Sequence, residues 1–243
     1  MKQLLPNEAP TIIRTFAGVD FDLSNPSPSD IDFRDISRSL KNTKRFNGMG
    51  AHGVTVAEHS VFVYLLSLMG AGFIKSRRMS TLCLMHDMHE AYIGDTVSPV
   101  KHELGNPAAD LEVLIDECIY SVAKIFSPIP YEKKHVKHID MLAYFFEANY
   151  LEGLDIDDSV LSDEDVRTIS ILIQFIGGLS VDDIHNLFDI ICSIHVPDLF
   201  NARCVYGGEG PYNLAVSQGQ DTGLSIDNTC KALIQRAMEA IDG

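Results

Sequence analysis

Residues 79–95, Met79-Ser-Thr-Leu-Cys-Leu-Met-His86-Asp87-Met-His89-Glu90-Ala-Tyr-Ile-Gly94-Asp95, read as the second half of a mostly apolar helix carrying a His-Asp pair and stopping at a glycine. The helix is expected over 75–92. Adjacent His and Asp in a helix project about 100° apart, so both reach one ion only where the backbone runs close beside it. Working outward, residues 54–69 form a second mostly apolar helix, begun after Gly53 and ended at Gly70, that should pack against the first. Upstream, Ile31, Phe33 or Arg34, Ile36 and Leu40 recur at helical spacing behind a Ser29/Asp30 cap, giving a helix from Asp30 to about Thr43. The β-branched alternation of 11–16 and the turn signal Asn25-Pro-Ser-Pro-Ser indicate a short hairpin or arm.

Downstream, helices are expected over 99–104 and 110–126, interrupted by Asn106-Pro107. Another covers 132–150, with Val136, Ile139, Leu142 or Ala143, Phe146 and Tyr150 in one stripe. Beyond Gly153 come an acidic loop, helices over 163–176 and 181–194, a Gly-rich stretch over 207–223 and a last amphipathic helix over 227–241. The expected fold class is all-α: a helical bundle with a short N-terminal extended arm and a helical C-terminal extension. The expected division is a core over 1–152 and an extension over 153–243, packed on the core.

The chemistry centres on His86 and Asp87. His59, in the preceding apolar helix, is placed to close one side of a site, and Asp140, in the helix over 132–150, to close the other. Each alone reads more readily as a satisfied core or surface residue. Together, in or beside apolar helices where an unpaired polar group costs about 1 to 3 kcal/mol, they point to coordination. Two imidazoles and two carboxylates without a thiolate suit a divalent ion: Mn, Co, Zn, Fe or Ni, with Mg possible. Such an ion serves hydrolysis by acidifying water and neutralising phosphoryl charge. Glu90, three residues from Asp87, could act as general acid or base.

Composition narrows the partners. A net charge of -15 over 243 residues argues against binding nucleic acid duplexes, which draws on clustered Lys and Arg. Five scattered cysteines without a CxxC pair read as reduced thiols. The apolar stretches are broken well short of the roughly 20 residues that cross a bilayer, and 1–17 lacks the uninterrupted apolar run of a secretory signal. A cytoplasmic protein with no membrane partner is expected.

The motifs Arg45-Phe-Asn-Gly, Ala57-Glu-His-Ser, His86-Asp-x-x-Glu-Ala-Tyr-x-Gly-Asp95 and Ser98-Pro-x-Lys101 resemble HD-domain phosphohydrolases, in the branch of bacterial 5'-deoxynucleotidases and phage dATP triphosphohydrolases. The resemblance covers roughly residues 11 to 150. It implies an HD-domain helical bundle in which His59, His86, Asp87 and Asp140 hold the metal, with Glu90 and Asp87 serving catalysis. It further implies that Arg45 and Lys101 meet phosphates, that Asp95 accepts from the sugar 3'-hydroxyl, and that Phe46 stacks on or walls off the base. A small-molecule deoxynucleotide is then the expected partner, and by analogy the chain pairs with itself. The implied reaction is hydrolysis of a 2'-deoxynucleotide, with dATP to deoxyadenosine and triphosphate favoured over a 5'-deoxynucleotidase acting on dNMPs. Readings from other classes are a non-catalytic nucleotide-binding regulator and a metal-free interaction protein. No second His and Asp cluster of the kind found in binuclear phosphodiesterases is visible, and His89 is expected to point away from the ligand set.

Overall fold

A computed structural model describes residues 11–69 and 76–203. The expected Gly-rich stretch over 207–223 and the helix over 227–241 lie outside the described residues, as do the residues from Gly70 to Lys75. Among the described residues the fold is mostly helical, as expected, and its paired strands are β1 (Ile12–Arg14) and β2 (Asp20–Asp22). They form an antiparallel hairpin that sets Ile13 opposite Phe21. The hairpin is held down by Phe21, whose buried ring stacks on Tyr92 at 4.2 Å between centroids.

Helix α1 (Phe33–Leu40) starts later than the sequence pattern indicates. Residues Pro28–Asp30 close a 3-10 turn of their own, and Asp32, not Ser29 or Asp30, caps the helix by accepting from the Arg34 amide. Helix α2 (Val56–Met69) is the axis of the molecule. Its first twelve residues are all buried, as a helix apolar on every side must be, and α3 (Arg77–Met85), α7 (Pro130–Phe146), α8 (Asp163–Ile176) and α9 (Val181–His195) pack around it.

Two corrections to the expected helices bear on the site. The helix read over 75–92 is not continuous: α3 ends at Met85 and α4 (Glu90–Ile93) begins after a turn over 86–89. There the amides of Met88, Glu90, Ala91 and Tyr92 bond three residues back instead of four. Asn106-Pro107 does not interrupt a helix but starts one, since proline's missing N–H falls among the unpaired donors of the first turn. Hence α5 (Ser98–Leu104) is followed at once by α6 (Asn106–Ala123), which ends at left-handed Lys124.

Beyond the π turn Glu147–Leu151, α8 and α9 each open with a Ser/Asp capping box, Ser162 with Asp165 and Ser180 with Asp183. Leu172, Leu187, Phe188 and Ile191 are buried in one continuous apolar core with Phe62 and Leu66 of α2. Polar ties supplement this packing: Asp189 accepts from Ser37 Oγ at 2.7 Å and Lys41 Nζ at 2.6 Å, and His195 Nε2 lies 2.9 Å from the Tyr64 hydroxyl. The described cysteines Cys83, Cys118 and Cys192 are free and buried. No described helix is long and apolar enough to cross a membrane.

Candidate metal centre and active site

Four donor atoms from three elements converge. His59, on α2, directs Nε2 to within 3.1 Å of Asp140 Oδ1 on α7 and 3.5 Å of Asp87 Oδ2. His86, at the C-cap of α3, places its own Nε2 3.2 Å from that of His59, 3.2 Å from Asp87 Oδ2 and 3.7 Å from Asp140 Oδ1. Donors about 2.1 Å from a shared ion stand roughly 3.0 to 3.4 Å apart in tetrahedral or octahedral arrangement, close to the 3.2 to 3.5 Å among His59 Nε2, His86 Nε2 and Asp87 Oδ2, with Asp140 Oδ1 placed nearer His59 than His86. The helix break explains how neighbouring residues share a point: tightening the chain after Met85 draws the backbone of His86 and Asp87 up beside it.

The orientation of both rings is fixed from behind. His59 Nδ1 donates to Glu147 Oε1 at 2.7 Å, and His86 Nδ1 donates to the Cys83 carbonyl at 2.8 Å. Each Nε2 is thereby left with its lone pair turned inward, the arrangement common to metal-bound histidines. Two inward lone pairs 3.2 Å apart, with two carboxylates beside them, repel one another unless positive charge lies between them. The electrostatics of the cluster point the same way. Burial opposes protonating His86, yet Asp87 and Asp140 raise its pKa well above the usual value. Against the opposing effect of burial, the two imidazoles lower that of Asp140. The His59, His86 and Asp87 group is compatible with a divalent cation, and Asp140 stands beside its two imidazoles.

This gives a pH dependence with a definite sign. His59 is also raised, Glu147 and Asp140 outweighing burial and the Arg45 charge, so protons must leave as an ion enters. Affinity for Mn2+ is expected to strengthen from pH 6 to pH 8, by about tenfold per pH unit for each proton displaced. Calorimetric titration in buffers of different ionisation enthalpy counts those protons. A pH-independent affinity with no proton release would contradict the imidazole ligands.

Around the four donors lie the other residues singled out from the sequence. Arg45 is half-buried, its Nε 2.9 Å from Glu147 Oε2 and a terminal nitrogen 3.5 Å from Asp87 Oδ2. Glu90 is buried with Oε2 lacking a hydrogen-bond partner among the described residues, and Lys101 Nζ stands 3.7 Å from its Oε1. Burial, then Asp87 and Asp95, push the Glu90 carboxyl up to about 9 against the pull of Lys101 and Arg45. Lys101 is also paired with Glu112 at 3.0 Å. Asp95 follows Gly94, whose φ of 78° turns the chain out of α4, and feels the charges of Arg45, Asp87, Lys101 and His59. Phe46 packs its ring 5.9 Å from that of Tyr144, one turn beyond Asp140. It holds a positive φ of 55°, unusual for a bulky residue.

Four carboxylates emerge here that sequence reasoning did not name: Glu112, Asp116, Glu147 and Glu152. Glu147 lies seven residues after Asp140, a spacing that keeps one helical face and could have flagged it. Glu152 accepts the amides of His52, Gly53 and Val54 at 2.7, 3.1 and 2.5 Å, tying down the loop that follows Arg45. Gly50 is required beneath it, since a Cβ there would overlap the Glu152 carboxylate. Asp116 receives His89 Nδ1 at 3.1 Å, a pairing between elements that leaves no sequence signal. His89 does not point away: one of its ring nitrogens lies within 4.8 Å of a carboxylate oxygen of both Asp87 and Glu90, forming a second group that shares Asp87.

Residues 37–148 match the family model of the HD domain. That segment holds every residue singled out above from the sequence, whereas α8 and α9 lie beyond it. An uncharacterized protein of Rhodobacter capsulatus is 29% identical over 144 residues, which is 58% of this chain and 72% of that protein. The HD domain is typical of metal-dependent hydrolases, and the His59, His86 and Asp87 group within the matching segment is compatible with the divalent ion such domains bind.

Proposed function

We propose that this chain is a metal-dependent phosphohydrolase acting on 2'-deoxynucleotides, cleaving the bond between the sugar 5'-oxygen and phosphorus. Of the two products considered, deoxyadenosine and triphosphate from dATP is the preferred reading, following the motif resemblance. The observation that carries the hydrolase reading is the convergence of His59 Nε2, His86 Nε2, Asp87 Oδ2 and Asp140 Oδ1 beside the half-buried Arg45.

His59, His86, Asp87 and Asp140 would hold a divalent ion, which when bound supplies Lewis acidity toward water and a phosphoryl oxygen. Arg45 supplies a guanidinium that can meet two phosphate oxygens at once. Lys101, its Nζ 3.7 Å from Glu90 Oε1, adds a second cation that would neutralise a polyphosphate as a point charge. Glu90 carries a proton near neutral pH in its buried setting, which suits it to protonate the leaving 5'-oxygen. Asp95 would receive the 3'-hydroxyl, and Phe46 with Tyr144 offers an aromatic wall for the base.

The test is product analysis by ion exchange after incubating Mn- or Co-loaded protein with dATP, dGTP, dAMP and ATP in parallel, with His86→Ala as control. Triphosphate and deoxyadenosine from dATP are expected, with dGTP and ATP turned over more slowly. Phosphate from dAMP alone would make the chain a 5'-deoxynucleotidase. No turnover of any of the four would end the deoxynucleotide assignment.

A further inference from the structure

The carboxylate of Glu147 is completely buried and divided between two partners of different duty: Oε1 accepts from His59 Nδ1 at 2.7 Å and Oε2 from Arg45 Nε at 2.9 Å. Its backbone position is unusual as well. Helix α7 widens into a π turn at Glu147, where the Glu152 amide bonds back to the Glu147 carbonyl at 2.8 Å. In a regular α-helix five residues turn the side-chain direction by about 140°. The wider turn reduces that angle, so Glu147 and Glu152 both face the segment from Arg45 to His59, one taking Arg45 and His59 and the other the amides between. Such single-turn π bulges are frequent at functional sites.

We propose that Glu147 is a positioning residue that couples the metal centre to phosphate recognition. The inference rests on the metal-dependent reading above and extends it. Through Oε1 the carboxylate keeps His59 in the tautomer whose Nε2 is free to coordinate. Through Oε2 it orients the Arg45 fork, one terminal nitrogen of which stands 3.5 Å from Asp87 Oδ2 at the edge of the donor cluster. Because one carboxylate fixes both groups, disturbing either hydrogen bond frees the acceptor that holds the other, so the imidazole and the guanidinium keep their places together.

Replacement by glutamine separates this role from simple packing. The amide matches the carboxylate in shape, but it cannot accept from His59 and Arg45 at once, because one of its two ends is a donor. In Glu147→Gln, Mn2+ affinity measured by calorimetry is expected to fall about 10- to 100-fold. The gain in Mn2+ affinity that inorganic triphosphate confers on the wild-type protein should disappear. Nitrogen NMR of the His59 ring with diamagnetic Zn2+ in place of Mn2+ should show loss of the pure Nδ1–H form, a signature that packing alone would not move. Glu147→Asp reads the same quantities should the glutamine variant fold poorly, since its shorter side chain reaches one partner only. Wild-type Mn2+ affinity, triphosphate coupling and ring tautomer in either folded variant would overturn the proposal while leaving the metal site standing. A wild-type protein that binds no Mn2+ would overturn both.

Discussion

His86→Ala is expected to abolish stable binding of a divalent ion and to reduce hydrolysis on the order of a thousandfold, about 4 kcal/mol of barrier. The fold should survive. His86 sits at the C-cap of α3, where, apart from its contacts within the donor cluster, its ring is held by the Nδ1–H bond to the Cys83 carbonyl, and the core residues Cys83, Leu84 and Met85 are untouched. Without metal, the variant also loses one of two opposed imidazole nitrogens 3.2 Å apart. Asp87 and Asp140 lose the protonated imidazole that pairs with them, however, so its unfolding midpoint near neutral pH in the presence of a chelator should fall somewhat below that of the wild type. Metal analysis of the purified variant together with turnover checks the first claim, and circular dichroism on heating checks the second. A variant retaining one tightly bound ion per chain would remove His86 from the ligand set.

The second large effect concerns stability. Phe188, on α9, is fully buried and lies nearly parallel to the ring of Phe33 on α1, with centroids 6.4 Å apart. Truncating a buried phenylalanine costs about 3 to 5 kcal/mol, through lost burial and the cavity left behind. Phe188→Ala should lower unfolding stability by that amount in urea titration, in one cooperative transition shared with the rest of the described chain. A loss under 1 kcal/mol, or a separate early transition, would show that α9 contributes little to the core around α2. The comparison matters because α8 and α9 lie outside the HD-domain match, yet the core of α2 is closed by their side chains.

How far the sequence could be read depended on the kind of signal each element leaves. Helix α2 announced itself because fourteen mostly apolar residues leave no other arrangement, and α9 because its capping serine and apolar stripe are local. His59, His86, Asp87 and Asp140 were readable for a related reason, namely that polar residues in apolar helices call for a partner. The break after Met85 was not readable. Residues 86–89 contain no glycine or proline, and the change to bonds three residues back comes from tertiary packing. The cap of α1 was misplaced because Ser29, Asp30 and Asp32 are all competent caps, and only the turn at Pro28–Asp30 selects the last. Glu147 and Asp116 were hidden because a lone acidic residue reads as solvated until a histidine from another helix is seen against it.

The most direct test of the metal centre is anomalous diffraction from crystals of the full chain grown with Mn2+, recorded on both sides of the manganese edge. One strong peak is expected between His59 Nε2, His86 Nε2, Asp87 and Asp140, about 2.0 to 2.3 Å from each. A site empty at full Mn2+ load, or a peak held by other residues with those four still bonded to one another, would contradict it.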